Sequence, residues 1–287
     1  MLSRTIETSQ GRIAFLESSG SGTPVVFIHG NSTCRDVFRH QFETTTLATA
    51  RHIIAIDLLG HGQSDDALDP QKAYTIPGYA TTLIEALRSL NITRAALVGW
   101  SLGGHVSLEM IGQGFDAAGA MIIGAPPIKR GILGMVRGFQ AQLDLLLATK
   151  SVLNARDVSR FARACVGEKH AAQLHDTIAR TDRRARQVLG RGLRSGLGVD
   201  QRWVVENLPT PIAVVNGSEE PFARLDYVAG ISYAALWEHR CHIIDGVGHA
   251  PFLEAPERFN PLLLRFLGDI HCSGIDGTSQ PQIRSVA

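Results

Sequence analysis

Gly99-Trp100-Ser101-Leu102-Gly103 reads G-x-S-x-G, with the apolar run Ala95-Ala96-Leu97-Val98 before it and Gly104 to Met110 after it. That pattern is a strand, a sharp turn and a helix with a serine at the apex, and its chemistry is nucleophilic attack on an acyl carbon. The glycines matter because the strand and the helix approach closely where a Cβ would intrude.

A serine hydroxyl is a weak nucleophile at neutral pH, so Ser101 needs a base and a carboxylate that orients the base. After a serine elbow of this kind the partners follow in the order acid, then histidine. Asp245-Gly246-Val247-Gly248-His249-Ala250-Pro251 follows the last apolar run, and Gly248 suits a tight loop that presents His249 at the sheet edge. The acid belongs in Asn216-Gly217-Ser218-Glu219-Glu220-Pro221, where an acid three residues after the glycine is Glu220; Glu219 reads as a solvated loop carboxylate. Gly124-Ala125-Pro126-Pro127, after the preceding strand, offers no alternative carboxylate.

Acyl transfer passes through an oxyanion, and losing one donor to it typically costs roughly 3 to 4 kcal/mol of barrier. The expected donors are the backbone N–H groups of Leu102, at the start of the helix after the serine, and of Asn31, after His29-Gly30. The Asn31 amide could also hold a substrate carbonyl or ring oxygen, although turn formation is a sufficient reason for Asn there. Trp100, Phe139, Phe161 and Phe222 are candidates to line the substrate pocket, with core packing as the plainer role of each. Asp57-Leu58-Leu59-Gly60-His61-Gly62-Gln63-Ser64 lacks the lysine of a phosphate loop and the clustered ligands of a metal site, and reads as a structural turn.

Short, nearly continuous apolar runs must carry these groups. Val25–Ile28, Ile53–Ile56, Ala95–Val98, Met121–Ile123 and Ile212–Val215 read as strands covered on both faces, with Cys241–Ile244 as a less apolar sixth. Arg4–Thr8 and Arg12–Glu17 read as antiparallel edge strands. Helical spacing appears over Asp36–Leu47, Tyr79–Leu90, Ser101–Gly112 and Pro256–Leu267. The fold class expected is α/β, a mainly parallel sheet flanked by helices, with an inserted helical cap. The division expected is a core of residues 1–126 and 203–270, a cap of 127–202 where Phe139, Leu143, Leu146 and Leu147 recur at helix spacing, and a disordered tail of 271–287. A glycine-rich stretch, Gly190 to Gly198, reads as a mobile exit from the cap or a plain surface loop.

Composition bounds the function class. The chain has 287 residues, 44% hydrophobic, with net charge +1, enough for a sizeable core and little attraction for nucleic acid. Residues 127–202 hold 15 Lys and Arg against 6 Asp and Glu, net +9, which leaves −8 for the remainder. A solvated basic surface is the plain reading of that asymmetry. Neither a membrane span nor a leader is evident, so a cytoplasmic location without membrane partners is expected. The four cysteines, Cys34, Cys165, Cys241 and Cys272, are scattered and read as reduced thiols. No metal and no cofactor is expected, and the oligomeric state is left open.

His29-Gly30-Asn31, Asp57 to Ser64, Gly99 to Gly104, Gly217 to Pro221 and Gly248 to Pro251, in that order, resemble the α/β-hydrolase superfamily. Longer stretches resemble the α/β-hydrolase-type N-acyl homoserine lactone lactonases: Ile28 to Ser32, Gly99 to His105, Ala213 to Gly217, Glu220-Pro221-Phe222, Gly248 to Phe252, and in the cap Arg156-Asp157-Val158 and Ala179 to Asp182. The resemblance implies a metal-independent, quorum-quenching lactonase with Ser101, His249 and Glu220 as triad and Asn31 and Leu102 as oxyanion donors. It departs at Phe161, where the pattern leads to a tyrosine that could donate a hydrogen bond. The same triad would serve a carboxylesterase acting on small acyl esters. A ligand receptor on the same fold is the reading from another class, and the complete Ser, His and Glu set argues against it.

Overall fold

The computed structural model describes residues 1–43, 47 and 51–273. Eight strands form one sheet in the order β1-β2-β4-β3-β5-β6-β7-β8: β1 Leu2–Thr8, β2 Gly11–Glu17, β3 Ser21–Ile28, β4 Arg51–Ile56, β5 Arg94–Trp100, β6 Asp116–Ile123, β7 Ile212–Gly217 and β8 His242–Ile244. The pairs β1–β2 and β2–β4 are antiparallel and the remaining ladders are parallel. Parallel strands need crossovers, which place helices on both faces; hence Val26, Ile28, Leu97 and Ile122 face one apolar cluster while Phe27, Val98, Met121 and Val215 face the other.

Ile76–Ser89, capped by the Thr75 hydroxyl, and Leu102–Gly112 cover one face with Gln201–Asn207. Pro256–Ser273 covers the other, three turns of apolar side chains through Phe259, Leu263, Phe266 and Ile270. That helix continues past Leu267 to Ser273, six residues beyond what apolar spacing indicated; residues 274–287 of the expected tail lie outside the described residues. The helix expected over Asp36–Leu47 is a 3-10 turn, Arg35–Phe38, followed by a short helix, Arg39–Phe42, and residues 44–46 lie outside the described residues.

Between β6 and β7 the described chain is entirely helical or irregular: Ile132–Gly138, the 3-10 turn Leu143–Thr149, Ala155–His170, His175–Arg180, Arg183–Ser195 and Gln201–Asn207. Gly190 and Gly192 sit inside the Arg183–Ser195 helix rather than in a loop, and Gly196 ends that helix in the left-handed conformation. Burial of Ala185, Val188 and Leu189 overrides the low helix propensity of glycine, and Gly190 packs where a Cβ would stand 2.6 Å from Thr149. Gln201–Asn207 crosses the boundary expected at 202/203 and packs on Leu102–Gly112, where Gln201 bonds His105.

Candidate active site

The carboxyl ends of β3, β5, β6 and β7, and the loop after β8, converge on one cavity of about 390 Å³. Its lining includes Asn31, Trp100, Ser101, Phe139, Phe161, Phe222 and His249, so seven of the residues picked out by type and spacing meet in one place.

Ser101 has φ 53 and ψ −116, a strained conformation for a residue with a Cβ. Its own N–H is fixed to Ile123 O at 2.7 Å across the end of β6. The glycines permit that turn sterically: a Cβ on Gly103 would stand 1.9 Å from Ile28 O, and one on Gly99 2.3 Å from Gly103 O. Leu102 opens the helix Leu102–Gly112, so its backbone N–H has no acceptor within the helix and lies at the positive end of the helix dipole.

His249 is buried, and its Nδ1–H donates to both oxygens of Glu220, at 2.7 and 2.9 Å. A proton shared with a carboxylate must sit on Nδ1, which leaves Nε2 as the basic nitrogen. Burial by itself would raise the Glu220 pKa; the His249 ring and the backbone N–H groups of Phe222 and Ala223 outweigh it and hold the carboxyl below the ordinary range. Glu219 is exposed, and its N–H bonds Val247 O.

Three side chains fix the His249 loop. Trp100 Nε1 donates to His249 O at 2.8 Å, and Phe222 meets the imidazole edge-on at 4.8 Å. The Glu254 carboxylate receives the N–H groups of Gly248 and Ala250 on either side of the histidine, at 3.0 and 3.1 Å. Trp100 also meets Phe252 edge-on, and Phe252 meets Phe38; each such pair adds about 0.5 to 1.5 kcal/mol beyond its buried area.

Asn31 is buried beneath the roof, and its Nδ2 donates to Ala148 O at 2.7 Å. One amide N–H is therefore already committed to the protein. Phe161 is buried in the helix Ala155–His170, and Phe139 lies beside His105 at 5.7 Å. The Asp57–Ser64 turn is a buried structural unit in which Asp57 receives Arg35 N, the Arg35 guanidinium and Gln63 N.

Sequence reasoning missed the remaining lining residues, Gly30, Gly124, Leu145, Ala148 and Cys165, and the Glu254 clamp. Gly124 had a signal, a glycine directly after a strand: it has φ 59, and a Cβ there would stand 2.4 Å from His249 Cε1. Among the described residues no group of three or more His, Cys, Asp or Glu is arranged to hold a metal ion, and no helix is long and apolar enough to cross a membrane. Cys34, Cys165 and Cys241 are free thiols.

The family profile described as the alpha/beta hydrolase family matches residues 25–262. This chain belongs to that family. Among solved structures it is similar to a serine-to-glycine variant of the N-acyl homoserine lactonase AidH complexed with N-hexanoyl homoserine lactone, at 43% identity and TM-score 0.90 over 94% of this chain and 98% of that one. It is also similar to AidH complexed with N-butanoyl homoserine, at 41% identity and TM-score 0.90 over the whole of both chains. Among curated proteins, a pimeloyl-[acyl-carrier protein] methyl ester esterase of Xanthomonas oryzae pv. oryzae is 29% identical over 260 residues, covering 88% of this chain and 97% of that protein. Membership of this family, with a lactonase and an esterase among its relatives, makes the chain a hydrolase of ester bonds.

Proposed function

We propose that this alpha/beta hydrolase opens the lactone ring of N-acyl homoserine lactones by serine catalysis. Ser101 Oγ attacks the ring carbonyl as His249 Nε2 takes its proton, and Glu220 stabilises the imidazolium. The oxyanion is held by the backbone N–H groups of Leu102 and Asn31. The ring C–O bond then breaks, and His249 returns its proton to the departing alkoxide, which stays tethered to the acyl group. A water activated by His249 releases the acyl-homoserine and restores Ser101.

The observation that carries this reading is the full-length similarity to the lactonase AidH at 41 to 43% identity. The site supports it: a strained serine, an imidazole paired with a buried carboxylate, and an apolar cavity bring the required groups together. The reaction needs no metal ion, so a chelator should leave it intact. Phe161 favours the carboxylesterase as the second reading, because it offers no hydroxyl to a lactone amide.

Proton release in a pH-stat, with chelator present, tests the choice on N-butanoyl and N-hexanoyl homoserine lactone and, in parallel, on p-nitrophenyl acetate. Fast ring opening supports the lactonase; activity confined to the simple ester overturns it in favour of the carboxylesterase.

A further inference from the structure

A buried arginine far along the chain from the serine closes a polar circuit through the cavity roof. Arg186, on the helix Arg183–Ser195, is 4% exposed. Its Nε donates to Lys150 O at 2.9 Å and its Nη2 to Ser151 O at 3.2 Å, while Nη1 reaches Ser32 Oγ at 3.0 Å and Ile178 O at 3.4 Å. The Ser32 hydroxyl in turn donates to Asn31 Oδ1 at 3.1 Å, and Asn31 Nδ2 donates to Ala148 O. Ala148 lies two residues before Lys150, so the circuit runs from Arg186 through Ser32 and Asn31 into the roof and back to Arg186.

Two features mark this circuit as more than packing. Ser32 is fully buried with φ 60, a conformation that a serine keeps only when its surroundings over-determine it. A buried guanidinium is costly unless its donors are met, and here they are met by the Ser32 hydroxyl and by carbonyls from the roof. Ala148, on the same roof segment, and Asn31, on the turn, both line the cavity.

We propose that Arg186 is a positioning residue for the oxyanion hole: it pins the Asn31-Ser32 turn to the roof segment Ala148 to Ser151. The inference rests on the reading of Asn31 as an oxyanion donor. The roof thereby sets the geometry of the chemistry as well as covering the substrate, and a loosened turn costs turnover more than ground-state binding.

The test compares Arg186→Met and Ser32→Ala with the wild-type chain, on N-butanoyl homoserine lactone and on p-nitrophenyl acetate. It adds the affinity of an alkyl trifluoromethyl ketone. That ketone accepts Ser101 Oγ at its carbonyl carbon, the C=O electrons pass to oxygen and the serine proton passes to His249, so its affinity reads the oxyanion hole directly. In Arg186→Met we expect kcat to fall about tenfold to a hundredfold, KM to change less than about threefold, and ketone affinity to fall in step with kcat. Ser32→Ala should move the same quantities in the same direction by less, and the double variant should be no worse than Arg186→Met. A folded Arg186→Met with unchanged kcat, or with a loss confined to KM and full ketone affinity, would overturn the proposal. Should Arg186→Met fail to fold, Ser32→Ala decides: wild-type kcat and ketone affinity overturn the proposal, and a joint fall sustains it. The ester arm separates this from failure of the functional reading, since inert lactones with active esters refute the lactonase but leave Arg186 measurable.

Discussion

The floor and the roof of the cavity are built on different principles. The floor is the carboxyl edge of the sheet, where Ser101 follows β5 directly and Glu220 and His249 lie in the loops after β7 and β8, and their positions follow from backbone ladders, close-packed glycines and buried carboxylate bonds. The roof is a set of helices between β6 and β7 that leaves Leu133, Val136, Leu143 and Leu146 largely exposed, and many of its polar contacts are ion pairs at the surface. Such pairs are worth little individually, typically 0 to about 1 kcal/mol. Changes in the floor should therefore act on turnover by orders of magnitude, and changes in the roof on which substrates enter, except at the buried Arg186 circuit, which bears on turnover through the Asn31-Ser32 turn.

The sharpest break is Ser101→Ala, expected to lower kcat at least about 10⁴-fold with the fold intact, as measured by steady-state kinetics beside circular dichroism. Next, Glu220→Gln should cost about 10³- to 10⁴-fold in kcat, because the amide cannot hold the Nδ1–H tautomer or stabilise the imidazolium. Glu219→Gln should stay within about threefold; a larger loss at Glu219 than at Glu220 would reverse the assignment of the acid. Gly124→Ala adds a Cβ against the imidazole at a positive φ and should cost about 10²-fold in kcat, through displacement of a catalytic group rather than its removal. In the roof, Phe161→Tyr should change kcat/KM on lactones by tenfold or less and leave p-nitrophenyl acetate nearly unaffected, since only the lactone amide can use the added hydroxyl. An equal change on both substrates would place the effect in the floor.

Acid should loosen the floor first. Burial lowers His29 to about 4, His61 to about 3 and His105 to about 4. Unfolded histidines take up a proton near 6.5, so between about pH 6.5 and 4 the unfolded chain binds more protons, and stability falls as pH falls. The lowered pKa of Glu220 extends the trend, since its contribution is lost as pH drops from the ordinary glutamate range through the lower folded value. Calorimetry should show Tm falling steadily over that interval, and a flat Tm would contradict these assignments.

The sheet was legible because strands buried on both faces must be continuously apolar, as Val25 to Ile28 and Ile212 to Val215 are. The outer halves were not: β3 begins at Ser21, among exposed residues with no periodicity to read. Ser101, His249 and Glu220 were legible because turn chemistry forces glycines near them. Glu254 and Arg186 were not, because a carboxylate that clamps a loop or a guanidinium that meets carbonyls leaves no spacing signature. The Gly190 to Gly198 stretch misled for a related reason, since tertiary packing, invisible locally, makes its first half helical.

In the proposed mechanism one serine opens the lactone. Treatment with diethyl p-nitrophenyl phosphate, followed by peptide mass spectrometry and a lactone assay on the same samples, tests it most directly. A single phosphoryl adduct on Ser101 is expected, accumulating in step with the loss of N-butanoyl homoserine lactone hydrolysis and slowed by that lactone. Undiminished lactone hydrolysis after Ser101 is fully modified would contradict it.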